Sequence, residues 1–169
     1  MAEKSFKQNV LESIYECSIS YNKLLCFSYE IKSTHFVIRK EYSIHFHEGN
    51  FLHLTGVKTK LSPVDFFKKA LAKELTVNDF DCDSTSSLKG TVREKIKNLK
   101  HIDSFFDECI CVQEKYERKR VSCLIASSNG KFTLGFTGGI NLSPMTLLNK
   151  NQIMAEMAIV DFKVEKKKL

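Results

Sequence analysis

The chain has no tryptophan, two prolines and seven glycines in 169 residues. So few breakers leave little room for long flexible linkers. Six cysteines occur, at positions 17, 26, 82, 109, 111 and 123, but no Cys-x-x-Cys pair is among them. Reduced thiols are therefore the expectation, and those on strands would act as small buried hydrophobes. No run of 18 apolar residues is present, so no membrane span and no membrane partner are expected. The opening Met-Ala-Glu-Lys-Ser-Phe-Lys lacks the apolar core of a secretory signal. Together these features predict a cytoplasmic protein. Gly138-Gly139 has no Lys-Ser/Thr after it, which excludes a phosphate-binding loop of the nucleotide hydrolases. No Ser-His-Asp order suggests itself, and no cysteine has the flanking context of a nucleophile.

What is present is an ordinary globular composition, 43% apolar and 27% charged, with thirteen phenylalanines to fill a core. The length suits one hydrophobic core and is short for two, so a single domain over 1–169 is expected, with a basic tail at 165–169. A formal charge of +6 permits a polyanionic partner without demanding one.

Periodicity predicts an α+β fold: an antiparallel sheet with an N-terminal helix and inserted helices packed on one side. Residues 4–24 repeat apolar side chains at helical spacing, and a strand follows near Leu25–Ile31, with an extended run at His35–Lys40. Ser62-Pro63-Val64-Asp65 is a helix start, with a capping hydroxyl, proline in the first turn and an acid near the positive end. Asp81–Ser87 reads as a loop. Thr91-x-x-Glu94 reads as a capping box opening a helix to about His101, with a short helix at Ser104–Glu108. Strands are expected at Cys109–Tyr116, Val121–Ser128 and Lys131–Thr137, the last two joined by a type I′ turn at Asn129-Gly130. Leu142-Ser-Pro144 predicts another helix at Met145–Leu148, and Ala155–Lys163 a final strand.

The segment Tyr42–Gly56 reads as a hairpin turning at Glu48-Gly49-Asn50. In that register His47 faces Phe51, His45 faces His53 and Ser43 faces Thr55, because side chains alternate along a strand. Three of the five histidines would then share one polar face over a floor of Ile44, Phe46, Leu52 and Leu54. Such a face suits proton transfer, phosphate binding or a metal. The metal reading, His45-x-His47 with His53, lacks an obvious fourth ligand. Cys109-x-Cys111 with His101 is a partial zinc set, explained more simply by two thiols on one strand face. Arg118-Lys119-Arg120 is either a phosphate contact or a solvated turn.

Asn50-Phe-Leu-His-Leu-Thr-Gly-Val57, followed by Leu-Ser-Pro-x-Asp-Phe-Phe-x-Lys-Ala-Leu at 61–71, resembles the phage-encoded members of the Barnase–EndoU–colicin–RelE-like nuclease group, specifically their fourth family. Phe132–Phe136 and Pro144–Leu148 fit more loosely. The resemblance covers roughly 40 to 160. It implies a metal-independent endoribonuclease of phages and prophages, acting in a bacterial host cell, with no cofactor. It carries over His53 and Thr55 as site residues with Gly56 as the adjoining turn. Cleavage by 2′-hydroxyl attack needs a base, an acid and a group to hold phosphate charge. His53 and His45 fit the proton roles, Lys58 the charge, and Thr55 a hydrogen bond. His47, Lys60, Arg118, Lys119, Arg120, Thr137, Ser143 and Thr146 are candidates for contacting nucleic acid. The alternative is a non-catalytic member of the fold that binds RNA or a nucleoprotein complex, or that antagonises a host protein in defence.

Overall fold

The computed structural model describes residues 2–169. The chain divides into two compact units. The first is the chain up to Lys23 together with Glu48–Asp103; the second is Leu24–His47 together with Ser104–Leu169.

The first unit is helical: α1 (Phe6–Asn22), α2 (Phe51–Thr55), α3 (Pro63–Leu71) and α4 (Ser86–Leu99). A two-stranded ribbon of β3 (Lys58–Thr59) and β4 (Phe80–Asp81) accompanies them. Ser5 and Gln8 cap α1 reciprocally, and the Ser62 hydroxyl accepts from Asp65 N at 3.1 Å, as the Ser-Pro-x-Asp signal predicts. The cap of α4 lies earlier than the sequence suggested. Thr85 accepts from Leu88 N at 3.1 Å, and Thr91 falls inside the helix. The core packs Ile14, Cys17 and Tyr21 of α1 with Phe51, Leu54, Phe66, Phe67, Val92 and Ile96, all buried. Its centre is aromatic: Phe51 lies 5.3 Å from Tyr21 and 5.2 Å from Phe67, ring centre to ring centre, in tilted and edge-on contacts.

The second unit is a seven-stranded sheet. In chain order its strands are β1 (Phe27–Lys32), β2 (Glu41–His45), β5 (Cys111–Arg118), β6 (Val121–Ser128), β7 (Phe132–Gly138), β8 (Asn141–Asn149) and β9 (Lys163–Lys168). In space they run β5-β6-β7-β8-β2-β1-β9, antiparallel except for the parallel pair β2–β8. The α+β class and the largely antiparallel sheet are as expected. One face is apolar: Tyr29, Ile31, Tyr42, Ile44, Phe46, Leu142, Phe136 and Leu134 are buried. Phe106 stacks on Tyr29 at 4.3 Å and meets Phe46 and Phe136 at 6.3 Å. The other face of β9-β1-β2-β8 is polar, because the paired residues Lys167–Ser28–His45 and Glu165–Glu30–Ser43–Asn141 lie side by side across it.

Four expectations are corrected here. Pro144 stands within β8, opposite Phe136 beside a register shift at Gly135/Phe136, where a missing N–H is tolerated. The helix predicted for Met145–Leu148 is therefore strand. The last strand is not Ala155–Lys163; Ala155–Met157 is a 3-10 turn, and the basic tail itself forms β9 on the edge of β1. Lysine suits that edge, since its charge discourages further pairing. A two-residue turn at Asn129-Gly130 would set Cys123, Ile125 and Ser127 against Phe136, Leu134 and Phe132 on one apolar face; the β6–β7 register is instead offset by two residues, Ile125 facing Phe136 and Ser127 facing Leu134. A shift of two keeps each side chain on its predicted face. Finally, only Gly130 of the Asn129-Gly130 pair has positive φ, +87°, so the turn is not type I′. Asn129 instead accepts from the amides of Lys131 and Phe132, each at 3.0 Å.

Candidate functional site

The predicted hairpin at 42–56 does not form. β2 ends at His45, and Glu48–Asn50 is a 3-10 turn leading into α2, with Asn50 at φ −86° rather than left-handed. His45 therefore faces Ser28 of β1, not His53, and Ser43 faces Glu30 and Asn141, not Thr55. The cause is Phe51. On a strand it would sit among the histidines, whereas a helix buries Phe51, Leu54 and Thr55 together at i, i+3 and i+4. Gly56 then ends the helix in the left-handed conformation, φ +77°, which a glycine adopts freely.

The helical unit gives His53 a different neighbour. His53 is exposed on α2, and Lys95 of α4 donates from Nζ to the His53 carbonyl oxygen at 3.4 Å. The stem of Lys95 crosses Gly56 so closely that a Cβ there would stand 3.0 Å from Lys95 Cδ. Burial pushes the Lys95 ammonium below its ordinary pKa. Desolvation, and then the charge of Lys95, hold the His53 imidazole below its ordinary 6.5. No carboxylate pairs with Lys95 among the described residues. A partly desolvated cation close enough to His53 to lower the pKa of its imidazole is a pairing suited to meeting a phosphodiester. Sequence reasoning missed Lys95. Reading Thr91 as a cap placed Lys95 in a first turn, and its approach to Gly56 comes from helix packing.

Thr55 is fully buried, and its hydroxyl donates to Leu52 O at 2.7 Å while accepting from Val57 N at 3.3 Å. That proton is committed to holding the end of α2. Lys58 and Lys60 are exposed on and after β3, beside a cavity of about 510 Å³ that also contains Asp79 and Asp81.

On the sheet unit, His45 is half-buried with Nε2 3.0 Å from Ser43 Oγ, and exposed His47 lies 6.3 Å away, ring centre to ring centre, nearly parallel. Thr137 and Ser143 are paired across β7–β8. Thr146 is buried, its methyl 2.9 Å from where a Gly135 Cβ would stand, so it packs rather than faces solvent. Arg118, Lys119 and Arg120 form the exposed β5–β6 turn, with Arg118 bonded to Gln152. The polar face around His45 is nearly charge-balanced. Lys32 lies 3.5–3.8 Å from Glu30, Glu41 and Glu165, and Lys167 is 2.8 Å from Glu30. Among the described residues no group of three His, Cys, Asp or Glu is arranged to hold a metal ion.

A family model described as phage-Barnase-EndoU-ColicinE5/D-RelE like nuclease4 matches residues 13–164. The chain belongs to this family. The match takes in His53, Thr55 and Gly56 of the α2 motif, and also Lys95. No curated protein and no solved structure gives a significant match. Membership makes the protein nuclease-like and of phage type. No helix among the described residues is long and apolar enough to cross a membrane.

Proposed function

We propose that this protein is an endoribonuclease that cleaves RNA by attack of the 2′-hydroxyl on the adjacent phosphorus, without a metal ion. The observation that carries the reading is the His53–Lys95 pair. Neutral His53 takes the 2′-hydroxyl proton as the O2′–P bond forms. The Lys95 ammonium stabilises the charge gathering on phosphorus, and its lowered pKa makes it a better proton donor to the departing 5′-oxygen. The products are a 2′,3′-cyclic phosphate and a 5′-hydroxyl. Gly56 and Thr55 position the pair, and Lys58 and Lys60 of the same unit supply contacts to RNA; Arg118–Arg120, His45, His47, Thr137 and Ser143 are the sheet unit's own candidates for contacting RNA. Each proton transfer is worth about 10²–10⁴-fold. In EDTA, total RNA should be cut by the natural protein and spared by His53→Ala and by Lys95→Met. Cleavage undiminished in both variants removes the reading.

One observation favours a binding-only member of the fold: the Thr55 proton, which the motif offers for phosphate, is spent on Leu52 O. Such a protein would hold RNA or a nucleoprotein complex with a log affinity falling linearly in log salt, and would release it intact.

A further inference from the structure

We propose that a cavity at one end of the sheet's polar face is a subsite for one nucleotide of single-stranded RNA. The inference takes its ligand class from the reading above and places it at residues that reading does not use. The cavity measures about 710 Å³ and lies between the loop before β2 and the start of β9. That volume suits a nucleotide-sized ligand. Phe36 and Phe162, both half-buried, line it together with Lys40 and Lys163.

Its walls are fixed. Ser33 Oγ donates to Asp161 O at 2.6 Å, tying one side to the other. Glu114 of β5 accepts from the amides of Val37, Ile38 and Arg39, which immobilises the loop after Phe36. The Phe36 ring sits edge-on to buried Tyr42 at 5.1 Å. The charges sort equally clearly. Lys32 is surrounded by three carboxylates, and Asp161 faces His35 Nε2 at 3.5 Å. Lys40 and Lys163 have no acidic partner among the described residues. Two uncompensated ammonium groups beside two half-buried aromatic rings, that of Phe36 held against Tyr42, match a phosphate and a base: cations track the backbone while the rings stack. Glu41 on the rim, Ser43 and His45 point to one side of β2, so His45 stands about 13 Å along the strand from the rim, at ~3.3 Å per residue. A strand of RNA leaving the cavity along this face meets the His45 imidazole.

The test is fluorescence anisotropy with labelled 12-mers of oligo-U and oligo-A in EDTA, in a His53→Ala background so that cleavage cannot intervene. Phe162→Ala should weaken binding about 5- to 150-fold, and Phe162→Tyr should restore it. Lys40→Gln with Lys163→Gln should reduce the salt slope by about 1.4. Circular dichroism and melting temperature confirm that each variant is folded. Affinities within twofold of the parent in both variants overturn the proposal, as does an unlabelled acidic peptide competing as well as RNA. Binding that shows these dependences in a protein that never cuts RNA keeps the subsite and removes the ribonuclease. Cutting by the natural protein, with affinity unmoved in both variants, does the reverse.

Discussion

Glu114 offers the sharpest structural prediction, because one buried carboxylate serves four donors. It is 9% exposed and accepts from the amides of Val37, Ile38 and Arg39 at 2.7–3.4 Å and from the Tyr42 hydroxyl. Burial first, and then this bond, raise the Tyr42 pKa above its ordinary value. Hydrogen bonds to a charged acceptor contribute roughly 1.5–3 kcal/mol each, but the sum is not additive, and water can reach a loop whose Val37 is 89% exposed. Glu114→Ala should therefore cost about 3–4 kcal/mol, well below the simple total of four such bonds. Glu114→Gln should cost less, since it keeps one acceptor oxygen. Tyr42→Phe alone should cost about 1–1.5 kcal/mol and add little on top of Glu114→Ala. Urea unfolding gives the energies, and hydrogen exchange should show the amides of residues 37–39 losing protection first. A loss below about 1 kcal/mol for Glu114→Ala, or unchanged exchange at those amides, refutes the reasoning.

Three further outcomes follow from other parts of the molecule. Gly135→Ala would place a Cβ 2.4 Å from Cys123 Sγ and 2.9 Å from Thr146 Cγ2, so thermal unfolding should report a loss of about 1–3 kcal/mol, while Gly90→Ala, inside α4 with open space around it, should be neutral or stabilise by up to about 1 kcal/mol. For His53, the lowered pKa means the folded state favours the neutral ring, so its contribution to stability is fully present above pH 6.5 and is lost as pH falls below that value and through the lower folded pKa. Lys95→Met should move the His53 titration, followed by NMR, upward toward 6.5 without reaching it, because desolvation is the larger cause; a downward move contradicts the assignment. Thiol titration of the native protein should modify Cys26 and Cys109 rapidly and Cys111 more slowly. Cys17, Cys82 and Cys123 should be spared, being buried with thiols pushed up to about 12, 11 and 11.

The elements legible in the sequence are those whose local chemistry and burial agree. The α1 periodicity, the Ser62-Pro63 start of α3 and the strands around Val121–Gly138 emerge with only small displacements. The errors share a cause: short segments in which tertiary burial decides between two local patterns. Leu52 and Leu54 alternate as a strand would, and only the need to bury Phe51 selects the helix. Ser143-Pro144 carries the signature of a helix start, and only pairing with β7 holds it extended. The Lys166–Lys168 run is too polar to announce a strand, yet β1 supplies a partner. For the site, the motif around His53 was visible as a family resemblance. Its partner Lys95, 42 residues away, was not, because no spacing rule connects two helices brought together by packing.

The central claim is cleavage by the RNA's own 2′-hydroxyl at the His53–Lys95 pair. The most direct measurement uses a 2′-O-methylated oligonucleotide with a single unmodified ribose, incubated in EDTA and resolved by mass spectrometry. The account predicts one cut, at that ribose, leaving a 2′,3′-cyclic phosphate and a 5′-hydroxyl, and no cut with His53→Ala. Cleavage at methylated positions, cleavage that EDTA abolishes, or an intact oligonucleotide contradicts it.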